Sequence, residues 1–258
     1  IAPEKKVRAI AEKAKIDLSG IRIIDVEHSH QAAEVAAQMA ADREVDALMK
    51  GSLHTDELIH AVVMQPKLHT GRRMSHVYRF QVPMYHKPLC ITDAALNIAP
   101  NLADKVDIVK NAIEFAQIMG VSEPKVAILA AVESVNPHMP STLEAAALCK
   151  MADRKQITGA ILDGPLAFDN AISTQAAELK HIESRVAGHA DILVAPDLEA
   201  GNMMIKQAET FSEAYGAGIV MGARVPIALT SRADTAMARV ASALLAKLIV
   251  HHNRQKTS

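Results

Sequence analysis

Short β-branched and aliphatic runs alternate with longer alanine-rich segments of helical period along nearly the whole chain, and this alternation restricts the fold more than any other feature. "IRIIDV" (21–26), "VDALMKG" (45–51), "KVAILAAV" (125–132), "GAILDG" (159–164), "DILVAPDL" (191–198), "GIVMGA" (218–223) and "PIAL" (226–229) predict strands. Between them, helical periodicity covers 30–44, 54–65, 102–120, 141–156, 170–183, 201–214 and the segment after Asp234. Thr55 or Asp56 is available to cap the second of these helices. The rhythm breaks once: "MSHVYRFQV" (74–82) and "PLCITDA" (88–94) are two strand-like runs joined by a short Pro-containing connection, which predicts antiparallel pairing. The whole pattern predicts α/β architecture with a mainly parallel sheet.

In such folds ligands meet the C-terminal ends of strands, where helix N-termini present unpaired N–H groups. The polar clusters fall at those junctions: "MKGSLHTDE", "ITDAALN", "AAVESVNPH", "LDGPLAFDNA", "APDLEAGN" and "LTSRAD". In the last, an apolar run stops at Thr230, Ser231, Arg232, Ala233 and Asp234, at a corner between strand and helix. Ser231-x-x-Asp234 has capping-box spacing, so capping and chemistry both remain open for it. Capping leaves Arg232 unexplained, because a cation in the first turn opposes the helix dipole; an anionic partner or plain solvation accounts for it.

Other candidates carry similar alternatives. Asp169 and Asn170 flank a Gly-Pro turn and either begin a helix or face a ligand. Asp197 follows a strand, and Gly201 and Asn202 open a helix whose N-terminus could receive phosphate. Arg72 and Arg73 are either solvated or suited to forked hydrogen bonds with a phosphate.

Charge excludes some functions. Lys and Arg total 28 against 29 acidic residues, for a net charge of −1, which leaves no broad field for nucleic acid or an anionic membrane. No apolar run reaches the ~18 residues of a membrane span, and no secretory signal opens the chain. Cys90 and Cys149 are far apart, which predicts two free thiols in a cytoplasmic protein. The sequence has no G-x-G-x-x-G after the first strand, no P-loop, no G-x-S-x-G elbow and no H-E-x-x-H or Cys/His framework; no metal or cofactor is expected.

Taken together and in order, "ALMKGSLHTDEL", "ITDAALNIAPNL", "ILDGPLAFDNAIS", "ADILVAPDLEAGNMMIK" and "PIALTSRADT" resemble the phosphate acetyltransferase and phosphate butyryltransferase family, from about Ile21 to Leu248. "TSRADT" and "MKGSLHTDEL" look closer to the butyryltransferase branch, and to the transferase half of bifunctional proteins with an N-terminal enoyl-CoA hydratase domain. A chain that begins at Ile1 without Met is compatible with such a fusion, or with a lost first β-α unit.

The resemblance implies reversible acyl transfer between coenzyme A and phosphate by a homodimer or higher homo-oligomer. It implies two α/β lobes with an interlobe cleft, similar to the isocitrate and isopropylmalate dehydrogenase architecture. The first would span 1–94, completed by 223–258, and the second 95–222. It also implies that Ser231 hydrogen-bonds the reacting carbonyl or thiolate, that Arg232 holds coenzyme A or phosphate, and that Arg73, or failing it Arg72, binds phosphate. Acetyltransferases are thought to place a basic Asp further along the last helix, but here the nearby carboxylate is Asp234, which competes with its own capping role.

A reference thiol titrates near ~8.5 and Asp near ~3.9, so full proton transfer between them is uphill by roughly 6 kcal/mol. Holding the reactants together can supply roughly 7–11 kcal/mol. Orientation and cationic stabilisation are therefore expected to dominate over proton removal. Two other functions compete. One is a non-catalytic acyl-CoA-sensing domain, like the family-related domains fused to malic enzymes; the other is a metal-dependent dehydrogenase on the related fold, disfavoured by the missing nucleotide and metal motifs.

Overall fold

The computed structural model describes residues 1–231 and 234–257, so the expectations for Arg232 lie outside the described residues. Helix α1 spans Glu4–Ala14, α2 Ser29–Ala41, α3 Thr55–Val63, α4 Leu102–Ile118, α5 Pro140–Asp153, α6 Phe168–Ile172, α7 Thr174–Leu179, α8 Leu198–Phe211 and α9 Ala236–Thr257. Strands β1 to β8 span Leu48–Met49, Ser75–Gln81, Leu89–Thr92, Lys125–Leu129, Ile161–Leu166, Ile192–Val194, Tyr215–Met221 and Ile227–Ala228. They form one mixed sheet in the order β1-β8-β7-β2-β3-β6-β4-β5.

Most neighbouring pairs are parallel: β1 with β8, β3 with β6, β6 with β4 and β4 with β5. The expected antiparallel pair is present, with Val77 opposite Thr92 and Phe80 opposite Leu89. Two further antiparallel pairs, β2 with β7 and β7 with β8, were not legible in the alternation. They reverse the sheet in its middle, so β1 and β8 run against β3, β4, β5 and β6.

β7 is built to lie under rings. His76, Tyr78 and Phe80 point to one face of β2, with centroids 5.7 Å apart for the first pair and 4.7 Å for the second. Gly218 stands opposite Tyr78 and Gly216 opposite Phe80. A Cβ on Gly216 would lie 2.2 Å from Tyr78 Cε1, and one on Gly218 would lie 2.4 Å from His76 Nε2. These glycines make room for an aromatic stack.

Apolar side chains form three clusters. One face of the sheet packs on α4, α5 and α9 through Val109, Phe115, Leu148, Leu245 and Ile249. The other packs on α6, α7 and α8 through Phe80, Ile91, Ala171, Ala177 and Ile205. A third joins α2 and α3 to β1 and β8 through Ala37, Leu58, Leu48 and Ile227. The first cluster draws on α9 as well as on α4 and α5.

Four local expectations are corrected. Residues 21–26 form no strand; this stretch has no ladder partner among the described residues, and Ile24 O accepts from Ala2 N–H at 3.1 Å. The N-cap of α3 is His54, leaving Thr55 and Asp56 inside the first turn. The helix expected over 170–183 is broken at Ser173, whose extended backbone lets its hydroxyl accept from Ala176 N–H and start α7 afresh. The last helix begins at Ala236, where Thr235 Oγ1 accepts from Ala238 N–H at 3.2 Å; the 231–234 corner precedes it. Helix α1, which the alternation did not reveal, lies ahead of all these units.

Candidate active site

A cleft of about 320 Å³ lies over the middle of the sheet, where its direction reverses. His76 and Tyr78 of β2 line it, together with Lys50, His54 and Thr55 after β1, and Leu229, Thr230 and Ser231 after β8. Ala94 and Ala95 after β3 complete the wall with Leu198, Asn202, Ile205 and Lys206 of α8. Elements expected in the first lobe thus face elements expected in the second.

Each side is held by bonds that the sequence does not announce. Thr230 is buried, and its hydroxyl donates to Lys50 O at 3.2 Å, tying the turn after β8 to the loop after β1. Lys50 is buried too, and its Nζ donates to Gly51 O at 3.2 Å and Leu53 O at 3.1 Å, which fixes the side chain in the cleft wall. Asp234 Oδ2 accepts from Ser231 N–H at 2.7 Å, and Asp234 N–H donates to Ser231 O at 3.2 Å. The Ser231-x-x-Asp234 spacing therefore closes a turn on the cleft rim, one residue before the Thr235 cap.

On the opposite side, Asp93 Oδ1 accepts from the N–H groups of Ala95 and Leu96, and Oδ2 from that of Asn97. This buried carboxylate shapes the "ITDAALN" loop. Asn202 Nδ2 donates to Ala94 O at 3.1 Å, which binds α8 to that loop. Asn202 lies beyond the first turn of α8, because Asp197 is the N-cap and accepts from Ala200 N–H. The helix end expected to receive phosphate is capped by a carboxylate. Lys206 Nζ pairs with Glu209 at 3.0 Å, and Glu209 also accepts from the Tyr78 hydroxyl at 2.8 Å. Burial and that carboxylate raise the Tyr78 phenol above its usual range, so it serves as a fixed donor.

The remaining candidates lie elsewhere. Arg72 and Arg73 line a neighbouring cavity of about 470 Å³ and do not line the cleft. Arg72 Nη1 pairs with Glu114 at 2.6 Å, and Arg73 Nη1 with Asp104 at 3.0 Å, while Arg73 Nε donates to Asn97 Oδ1. Both ion pairs are partly exposed, which limits them to about 0–1 kcal/mol each. Asp169 sits in the first turn of α6 with Lys180 at 3.4 Å, outside the cleft lining.

Lys50 and His54 belong to "MKGSLHTDE", a junction already conspicuous in the sequence, but neither stood out within it. His76 and Tyr78 did not stand out either. Their signal was an every-second-residue pattern of rings in one strand (76, 78, 80) and glycines at the same spacing in another (216, 218). Among the described residues there is no group of three or more His, Cys, Asp or Glu side chains that could hold a metal ion. Nor is any described helix long and apolar enough to cross a membrane.

Fold and cleft together define the class: an α/β protein with a lysine- and hydroxyl-bearing site over the reversal point of a mixed sheet. Residues 1–247 match the family model described as "Phosphate acetyl/butaryl transferase". The chain belongs to the phosphate acetyl/butyryl transferase family. It is 55% identical over 258 residues to a phosphate acetyltransferase of Rickettsia felis, covering 99% of this chain and 74% of that one. It is 40% identical over 255 residues to a phosphate butyryltransferase of Clostridium beijerinckii, covering 98% and 84%. Among solved structures, a branched-chain phosphotransacylase from Enterococcus faecalis V583 superposes with a TM-score of 0.80 at 33% identity, covering 88% of this chain and 82% of that one. At the level of fold alone, the structure of a "putative 4-hydroxythreonine-4-phosphate dehydrogenase" from Salmonella typhimurium matches with a TM-score of 0.51 at 17% identity, covering 85% and 69%.

Proposed function

We propose that the protein is a phosphate acyltransferase that moves a short acyl group reversibly between coenzyme A and inorganic phosphate. The observation that carries this reading is the family match from residue 1 to residue 247. Acetyl is the favoured group, since a relative bearing the acetyltransferase name reaches 55% identity and one bearing the butyryltransferase name 40%.

A phosphate oxygen attacks the thioester carbonyl carbon; the C–O bond forms, the C–S bond breaks, and the sulfur leaves with the electron pair and the proton given up by phosphate. Ser231 is proposed to hydrogen-bond the reacting group and Arg232 to hold the phosphorylated ligand, with Thr230 and Asn202 shaping the cleft. Lys50 and Lys206 add positive charge where phosphate and thiolate gather. Asp234 acts chiefly by bracing the turn that presents Ser231. A cleft of about 320 Å³ suits the reacting end of the coenzyme, leaving its nucleotide outside. Work in the cytoplasm as a homo-oligomer fits this reading.

The transfer is proposed to be direct, with no acyl-enzyme. Burial pushes both the Cys90 and Cys149 thiols up to about 12, so neither supplies a thiolate near neutral pH. Labelling with an aromatic disulfide reagent at pH 8 should leave both thiols largely unreacted in the native protein and reach both after denaturation. Rapid native labelling that acetyl-CoA blocks would instead indicate a covalent route. The reading itself is tested by mixing acetyl-, propionyl- or butyryl-CoA with phosphate and following free coenzyme A. Phosphate-dependent release with at least one of them is expected, whereas binding without release would favour the acyl-CoA-sensing alternative.

A further inference from the structure

Resting on the acyl-transfer reading, we propose that Leu198 sets the length of the acyl chain that the cleft accepts. The two sides of the cleft differ in chemistry. Hydroxyl groups come from the β1 and β8 side, on Thr55, Thr230 and Ser231, while Leu198 and Ile205 of α8 lie across from them with Ala94 and Ala95. Transfer of an acyl group uses both: polar groups orient the reacting carbonyl, and an apolar wall receives the hydrocarbon behind it.

Leu198 is the apolar side chain of this lining that the core does not use. Tyr78, Ala94 and Ile205 belong to the cluster beneath α6, α7 and α8, Leu229 belongs to the cluster beneath α2 and α3, and Leu53 and Ala95 pack against the latter. Among the described residues, Leu198 takes part in none of the three clusters, and it is partly exposed. Its apolar surface is left for whatever fills the cleft.

The backbone around Leu198 is fixed. Asp197 caps α8 by accepting from Ala200 N–H at 2.8 Å, Leu198 N–H donates to Ile98 O at 3.1 Å, and Asn202 Nδ2 ties the next turn to Ala94 O at 3.1 Å. A side chain on a turn held at three points acts as a stop, not as a flap. One methylene against such a wall changes kcat/KM by roughly 10–200-fold. The carbons behind the carbonyl take no part in bond making, so Leu198 governs which thioester is used and leaves the transfer step itself alone.

The test measures kcat/KM with acetyl-, butyryl- and hexanoyl-CoA, at saturating phosphate, for the wild type, Leu198→Ala and Leu198→Phe. Leu198→Ala is expected to raise the butyryl-to-acetyl ratio at least about 10-fold, and Leu198→Phe to lower it. Leu179→Ala, which trims an exposed leucine of α7 outside the cleft lining, should keep the wild-type ratio. Thermal unfolding establishes that each variant is folded; should Leu198→Ala fail to fold, the ratio in Leu198→Phe decides. Folded Leu198 variants that keep the wild-type ratio overturn the inference alone. So does an equal loss with all three thioesters, which would place Leu198 against the coenzyme arm and not the acyl chain. A wild type that releases no coenzyme A with phosphate overturns the acyl-transfer reading beneath it.

Discussion

Gly201→Ala is expected to lower the melting temperature by about 2–12 °C and to remove most activity, the reverse of what glycine-to-alanine changes inside helices usually do. In an open helix the change would add about 1 kcal/mol of stability. Here a Cβ at 201 would lie 2.4 Å from the backbone oxygen of Asp93 and 3.2 Å from the Cα of Ala94. Those are backbone atoms of a loop pinned by the Asp93 carboxylate, so the strain is relieved only by moving α8 away. Overpacking of this kind costs about 1–3 kcal/mol and occasionally more, and each kcal/mol shifts the midpoint by about 2–4 °C in a protein of this size. Moving α8 would also stretch the Asn202–Ala94 bond at 3.1 Å and carry Lys206 away from the cleft. Gly51→Ala is the control, since nothing lies within 4 Å of a Cβ there. Thermal unfolding and initial rates on the two variants check the prediction; equal shifts in both would refute the close approach.

Arg232→Ala is expected to reduce kcat/KM at least about 10²-fold, the scale of losing one donor to a developing charge, ~2.7 kcal/mol. The argument rests on its place in "TSRADT" between two residues of the cleft lining, Ser231 and Asp234. Arg232→Lys keeps the charge but loses the planar fork, and should fall between wild type and Arg232→Ala. Steady-state rates over a range of phosphate and acetyl-CoA concentrations would measure both; an unchanged ratio for Arg232→Ala would remove this side chain from the mechanism.

The repeating units were legible because each is specified locally: the period of "KVAILAAV" and that of the helix after it need no distant partner. Strand direction is legible where a connection is too short for a crossover, as was read between β2 and β3. The reversal between β7 and β2 depends on strands that become neighbours across more than a hundred residues, as with Tyr78 and Gly218, whereas that between β7 and β8 follows a short connection whose meaning was missed. Residues 21–26 show the converse, a good strand sequence with no ladder partner among the described residues.

The same division runs through the site. The corner at Thr230, Ser231 and Asp234 was readable as an interruption between strand and helix, and the cleft lies against it. The surroundings of Arg72 and Arg73 were not readable, because Asp104 and Glu114 reach them from α4, some thirty to forty positions along the chain. His76 escaped notice for a related reason. Its setting comes from a glycine on another strand, which no motif records.

The most direct measurement of the central claim is a crystal structure of the protein with coenzyme A bound. The account predicts the sulfur inside the cleft, within contact of the Ser231 corner, with the nucleotide extending outside. Sulfur seated in the Arg72–Arg73 cavity, or on the surface beside Asp169, would contradict it.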